Sequence, residues 1–143
     1  MRTIKFRGKL VFSPGWIVGG YCQWSDIKDN KKHQIISSVG FHNDVKPETV
    51  GQFTGLYDKN GEEIYEGDII QFNKVQNPLK KVKGVVEFDV EIGGWMLKDT
   101  TKMLSEVLFE QNNDEWKAEH GWAVRNNQYA TVIGNIHENP ELI

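Results

Sequence analysis

Five acidic side chains, Asp58, Glu62, Glu63, Glu66 and Asp68, crowd into one short stretch of the chain. Paired carboxylates are the raw material of acid–base catalysis and of calcium or magnesium sites. The spacing argues against both uses. In an extended strand Glu62 and Glu63 point to opposite faces. Asp68 follows Gly67, a turn context in which an aspartate bonds its own backbone. Asp58-Lys59-Asn60-Gly61 has the outline of a calcium-loop start, but its glycine comes too early and no closing bidentate glutamate follows. No metal or cofactor is therefore expected.

The remaining reactive residues are scattered. His33, His42, His120 and His137 form neither an HExxH helix nor a close pair. Cys22, between Tyr21 and Gln23, has no neighbouring base to activate it and reads as a small structural hydrophobe. Gly19-Gly20 and Gly93-Gly94 lack the lysine or following helix that cradles a phosphate, and no GxSxG elbow occurs. No catalytic constellation emerges, so an enzyme is not expected.

Two patterns suit binding. Lys74, Lys80, Lys81 and Lys83 follow Phe72, and Arg2, Lys5, Arg7 and Lys9 line the N-terminus. Small barrels bind single-stranded nucleic acid with basic grooves and stacking aromatics. Against this stand 17 basic and 20 acidic side chains, a net charge of -3, and the habit of placing lysine on edge strands to block unwanted pairing. Trp16, Trp24, Trp95, Trp116 and Trp122 are many indoles for one small core, and tryptophan is enriched at protein interfaces. Protein contacts or self-assembly are the leading reading, and nucleic-acid binding through the four lysines is the alternative. Leu142-Ile143 after a proline-containing turn is an apolar tail that could join such a contact.

Short strands must position these residues. Ile4–Phe12, Trp16–Trp24 and His33–Phe41 read as strands, with a bulge or close backbone approach at Gly19-Gly20. His42–Glu48 reads as a turn-rich connector. Phe53–Tyr57 and Ile64-Tyr65 flank Asn60-Gly61, the favoured pair of a type I′ hairpin with two positive φ angles. Glu66-Gly67-Asp68 breaks the chain again before a strand at Ile69–Phe72. Gly84–Phe88 and Trp95–Leu97 make a second hairpin, and Thr131–Ile136 a final strand. Met103, Leu104, Val107 and Leu108 give the one helix candidate, Thr101–Gln111; residues 112–129 carry no assignable pattern. The expected fold is mainly β, a small barrel or sandwich with at most one or two short helices. We take 1–143 as a single domain, with an N-terminal β layer over 1–48 and a barrel over 49–143.

The stretches TGLYDKNGEEIYEGDII (Thr54–Ile70) and VIGNIHENPELI (Val132–Ile143), with IKFRG at Ile4–Gly8 and PETVGQ at Pro47–Gln52, resemble the YopX family of phage and prophage proteins. The resemblance implies an SH3-like small barrel in an accessory protein of a phage or prophage. It brings no activity and no catalytic or binding residues to carry over.

One cysteine cannot close a disulfide within the chain, no stretch has the roughly 20 apolar residues of a membrane span, and MRTIKFRGKL lacks a signal-peptide core. A bacterial cytoplasm is the expected location, and a homo-oligomer the expected assembly.

Overall fold

In the computed structural model, residues 1, 3–74, 77–98, 100–109 and 130–143 are described. The protein is mainly β, with ten strands and one short helix among these residues. The chain forms two compact units, Met1–Gly55 and Leu56–Ile143.

The N-terminal unit is a meander. Strands β1 (Phe6–Lys9), β2 (Trp16–Ser25), β3 (Lys31–Ile36) and β4 (His42–Asp44) pair with their sequence neighbours, and β5 (Gly51–Tyr57) returns to the free side of β1. A 3-10 turn at Pro47–Thr49 makes that return, and Thr49 fixes it by accepting the Lys9 N–H at 2.8 Å and donating to the Lys46 carbonyl at 2.7 Å. The sheet also curls back on itself. Leu10 bridges Val45, the Val11 N–H donates to the Asp44 carbonyl, and the Lys46 N–H donates to the Lys9 carbonyl. Such a curl leaves little room inside. A Cβ on Gly8 would lie 3.1 Å from that of Val45, and one on Gly19 would overlap the Ile36 carbonyl. The close approach expected at Gly19-Gly20 is thus real, and β2 runs through it without a register shift.

Strand limits in this unit differ from expectation, and β1 covers only Phe6–Lys9 of the expected Ile4–Phe12. β3 ends at Ile36, because Ser37–Phe41 closes a tight loop in which Gly40 takes a φ of 85°. The expected connector after it contains β4.

In the second unit, the last residues of β5 pair with β6 (Glu63–Tyr65) across a hairpin. Its position is as expected, but its type is not. The Asp58 N–H donates to the Glu62 carbonyl and the Gly61 N–H to that of Asp58, so the loop has three residues, not two. Gly61 has a φ of 82°, whereas Asp29 is the only non-glycine with positive φ among the described residues. Asn60 therefore stays in ordinary backbone space, and the expected I′ turn is replaced by a type I turn followed by a left-handed glycine.

At Gly67, with a φ of 83°, the chain leaves that hairpin and enters a four-stranded antiparallel sheet, ordered β10 (Ala130–Asn135), β7 (Asp68–Lys74), β8 (Asn77–Asp89) and β9 (Gly94–Leu97). Helix α1 (Leu104–Phe109) starts later than the expected Thr101, since Met103 is used in a bridge to Met96; Glu110 and Gln111 lie outside the described residues. Glu106 reaches back to the Met103 N–H at 3.0 Å, which caps the first turn. Ile64, Ile70, Phe72, Val86, Leu97, Leu104, Val107, Leu108 and Ala130 form one buried cluster. Each large aliphatic side chain buried there contributes about 2 kcal/mol. No helix of the described residues is long and apolar enough to cross a membrane.

Candidate functional site

The acidic cluster is used for construction. Asp58 is 3% exposed; its Oδ1 accepts the N–H groups of Asn60 (2.7 Å) and Glu62 (2.9 Å), and its Oδ2 accepts that of Val132 (3.1 Å). Asp68, 1% exposed, accepts the Tyr65 N–H at 2.8 Å, and Glu63 accepts the Tyr65 hydroxyl at 2.7 Å. Among the described residues no three His, Cys, Asp or Glu side chains gather as a metal would need. His33 Nδ1 lies 2.6 Å from the Tyr21 hydroxyl, whose pKa is raised by burial and then by the neighbouring Cys22. Cys22 is half-buried and free. His137 belongs to the second unit, and His120 lies outside the described residues.

The four lysines of the alternative reading lie on the neighbouring strands β7 and β8. Lys74 and Lys80 belong to β7 and β8, but their side chains lie outside the described residues. Lys81 and Lys83 are exposed on β8, and Lys83 donates to the Leu142 carbonyl at 2.9 Å. Ile143 beside it is 65% exposed.

The N-terminal basic residues behave differently. Register places Arg7 opposite Val18, Lys9 opposite Trp16, Trp24 opposite Lys32, Gln34 opposite Asp44, and Ile36 opposite His42. Directly opposed residues share a face and alternate residues of a strand do too, so all of these, with Lys5, lie on one face. Gly8, Ile35 and Val45 occupy the other face and are buried, and on this one Trp24 and Lys32 are exposed while Lys5, Arg7 and Lys9 are half-buried and Phe53, opposite Lys5, is buried. The Arg7 guanidinium lies 4.9 Å from the Trp16 ring centre, Lys9 5.8 Å from the same ring, and Lys5 4.8 Å from Phe53. Trp24, 46% exposed, donates its indole N–H to Gln34 Oε1 at 3.1 Å. Gln34 in turn donates to Asp44 at 2.6 Å, and His42 Nδ1 lies 3.3 Å from the same Gln34 oxygen. A cleft of about 370 Å³ opens there, lined by Phe12, Gln34, His42 and Asp44 among others.

Of the remaining tryptophans, Trp95 is half-buried edge-on to Phe88 at 5.1 Å, and Trp116 and Trp122 lie outside the described residues. Sequence reasoning missed the Trp24, Lys32 and Gln34 grouping. The alternation of Lys5, Arg7 and Lys9, and of Trp16 through Trp24, carried the signal, but it needed the strand register to bring the rows together.

What the described residues define is a β protein whose polar motif residues lock turns while its N-terminal sheet gathers basic and aromatic residues on one face. A family model described as YopX protein matches residues 5–143, and the chain belongs to that family. The structure is similar to the crystal structure of protein EF1440 from Enterococcus faecalis, at 21% identity, with 99% of each chain covered and a TM-score of 0.54. No curated protein matches the chain.

Proposed function

We propose that this is an accessory protein of a phage or prophage that acts in the bacterial cytoplasm by binding, not catalysis, through contacts between copies of itself. The observation that carries this reading is the exposure of Phe12 (86%), Val39 (75%) and Phe41 (71%). In an antiparallel meander the β1–β2 and β3–β4 loops leave the same end of the sheet, so these side chains share one apolar end. Grouped exposed apolar residues mark contact sites, and identical copies most often close symmetrically. A non-catalytic role is supported by the carboxylates, whose oxygens are committed to the hydrogen bonds that hold the turns.

Light scattering coupled to size exclusion tests this. The expected mass is an integer multiple of 16.4 kDa that falls to 16.4 kDa in the Phe12→Ser, Phe41→Ser double variant. A mass of 16.4 kDa for the unaltered protein throughout a micromolar dilution series would overturn it.

A further inference from the structure

We infer that the cleft between β4 and the loop after β1 seats a guanidinium group, its N–H edge on the Asp44 carboxylate and its flat face on the Phe12 ring. This goes beyond self-association and uses none of the cations of the sheet.

The first support is the polarity of the atoms left over. The Trp24 indole N–H can only donate, so it fixes the Gln34 oxygen toward itself at 3.1 Å and the Gln34 amide N–H toward Asp44 Oδ1 at 2.6 Å. His42 Nδ1, 3.3 Å from the same Gln34 oxygen, donates to it as well, because an amide oxygen only accepts. Asp44 Oδ2 and, on the neutral imidazole, His42 Nε2 remain without partners, and both are acceptors. The second support is charge. Asp44 carries the only formal charge among the residues lining the cleft, and no described lysine or arginine pairs with it, Lys46 two positions on included. A half-buried carboxylate without a counter-ion gains from a cation that enters beside it. The third is shape. About 370 Å³ is the size of a small-ligand site, and Phe12 supplies an exposed ring and Leu10 an aliphatic wall. A guanidinium stacks on an aromatic face while its edge donates several hydrogen bonds. An ammonium ion has the charge but no flat face, and a phosphate would meet the carboxylate with no cation to offset it. The bonds from Trp24 through Gln34 hold the Asp44 carboxylate in place beforehand, which lowers the ordering cost of binding.

The probe is methylguanidinium chloride, titrated at constant ionic strength and followed in nitrogen–proton correlation spectra. Saturable shifts of the Gln34 side-chain amide and of the His42 and Asp44 backbone amides are expected, with a midpoint on the order of 1–10 mM for one charge-assisted bond and one ring contact. Asp44→Asn, which keeps the shape and removes the charge, should weaken binding about tenfold. Phe12→Leu should weaken it about threefold, and butylammonium should bind the unaltered protein more weakly by a similar factor. Glu91→Gln, in the other unit, should change nothing. N-acetylarginine amide presents the same group as a residue of a peptide: tighter binding than methylguanidinium assigns the cleft to an arginine side chain of a protein partner, and weaker binding to a small free molecule. Circular dichroism melts establish that each variant is folded, and Phe12→Leu, at an exposed position, keeps the test decisive if Asp44→Asn is not. Phe12 also belongs to the loop end through which copies meet, so the titration is repeated in Phe41→Ser, which weakens that contact without altering the cleft; its midpoint should not rise. Asp44→Asn should in turn leave the mass of the protein unchanged, so either reading can fail without the other. Absence of saturable shifts, equal binding of butylammonium, undiminished binding by Asp44→Asn, or loss of binding in Phe41→Ser would overturn the inference.

Discussion

The loops Asp26–Asn30 and Asp58–Glu62 have the same backbone ladder and very different weight. In each, the first N–H donates to the fifth carbonyl (3.1 and 2.8 Å) and the fourth N–H returns to the first carbonyl (2.9 and 3.0 Å). In each, the aspartate Oδ1 accepts the third N–H (2.8 and 2.7 Å) and the fifth (3.0 and 2.9 Å). The fourth residue is left-handed in both, Asp29 at a φ of 59° and Gly61 at 82°. The second carboxylate oxygen separates them. That of Asp26 meets the Asn30 side chain in the same loop, whereas that of Asp58 takes the N–H of Val132, 74 residues away. A local turn code thus builds both hairpins, and at Asp58 the second oxygen, beside the Lys59 N–H that donates to the Ala130 carbonyl, ties the turn to β10.

Asp58→Ala should therefore produce the largest effect. It leaves three N–H groups without their carboxylate, a loss of about 3 kcal/mol, or roughly 10 °C in a thermal melt. If the melting point falls no further than in Asp26→Ala, the distinction between the two turns is wrong. Gly61→Val comes next, at about 1–2 kcal/mol, since a β-branched residue resists positive φ. Asp29→Gly is the reciprocal change and should cost no more than about 0.5 kcal/mol, because the relief of left-handed strain offsets the added chain freedom; denaturant midpoints compare the two directly.

Asp26→Ala should be the mildest change, and acid should reveal it. The Asn30 side chain, then its backbone N–H, holds the Asp26 pKa below the ordinary carboxylate value. A lowered folded pKa stabilises the fold above the ordinary value, and this contribution disappears as pH falls through the folded one. A melt series taken below the usual carboxylate range should thus show the native protein converging on Asp26→Ala. A constant gap at every pH would refute the assignment.

The mainly-β fold was legible because glycine, aspartate and alternating apolar residues act over a few positions. The hairpin at Asp58 was found for that reason, and its turn type was misjudged for a related one. Asn60-Gly61 favours I′ only when the loop has two residues, and the Asp58 carboxylate selects a three-residue loop by bonding the Glu62 N–H. The apolar character of Phe41 suits a strand, yet Gly40 and Ser37 turn the chain first. The face that gathers basic and aromatic residues was hidden more deeply. Alternation shows that Lys5, Arg7 and Lys9 share a side, but not which side is covered.

The long bond from Val132 to Asp58 also sets an order in time. On a ribosome the N-terminal meander can pair β1 through β4 with sequence neighbours and finish with the first residues of β5, which complete the first compact unit. The later sheet cannot take its place beside β7 until β10 has been synthesised, and non-local pairing of that kind is slow because loop closure precedes the reward. Translation should therefore release a folded N-terminal half ahead of an unfinished C-terminal one, so pausing late in the message would lengthen the interval in which β7 presents an unpaired edge.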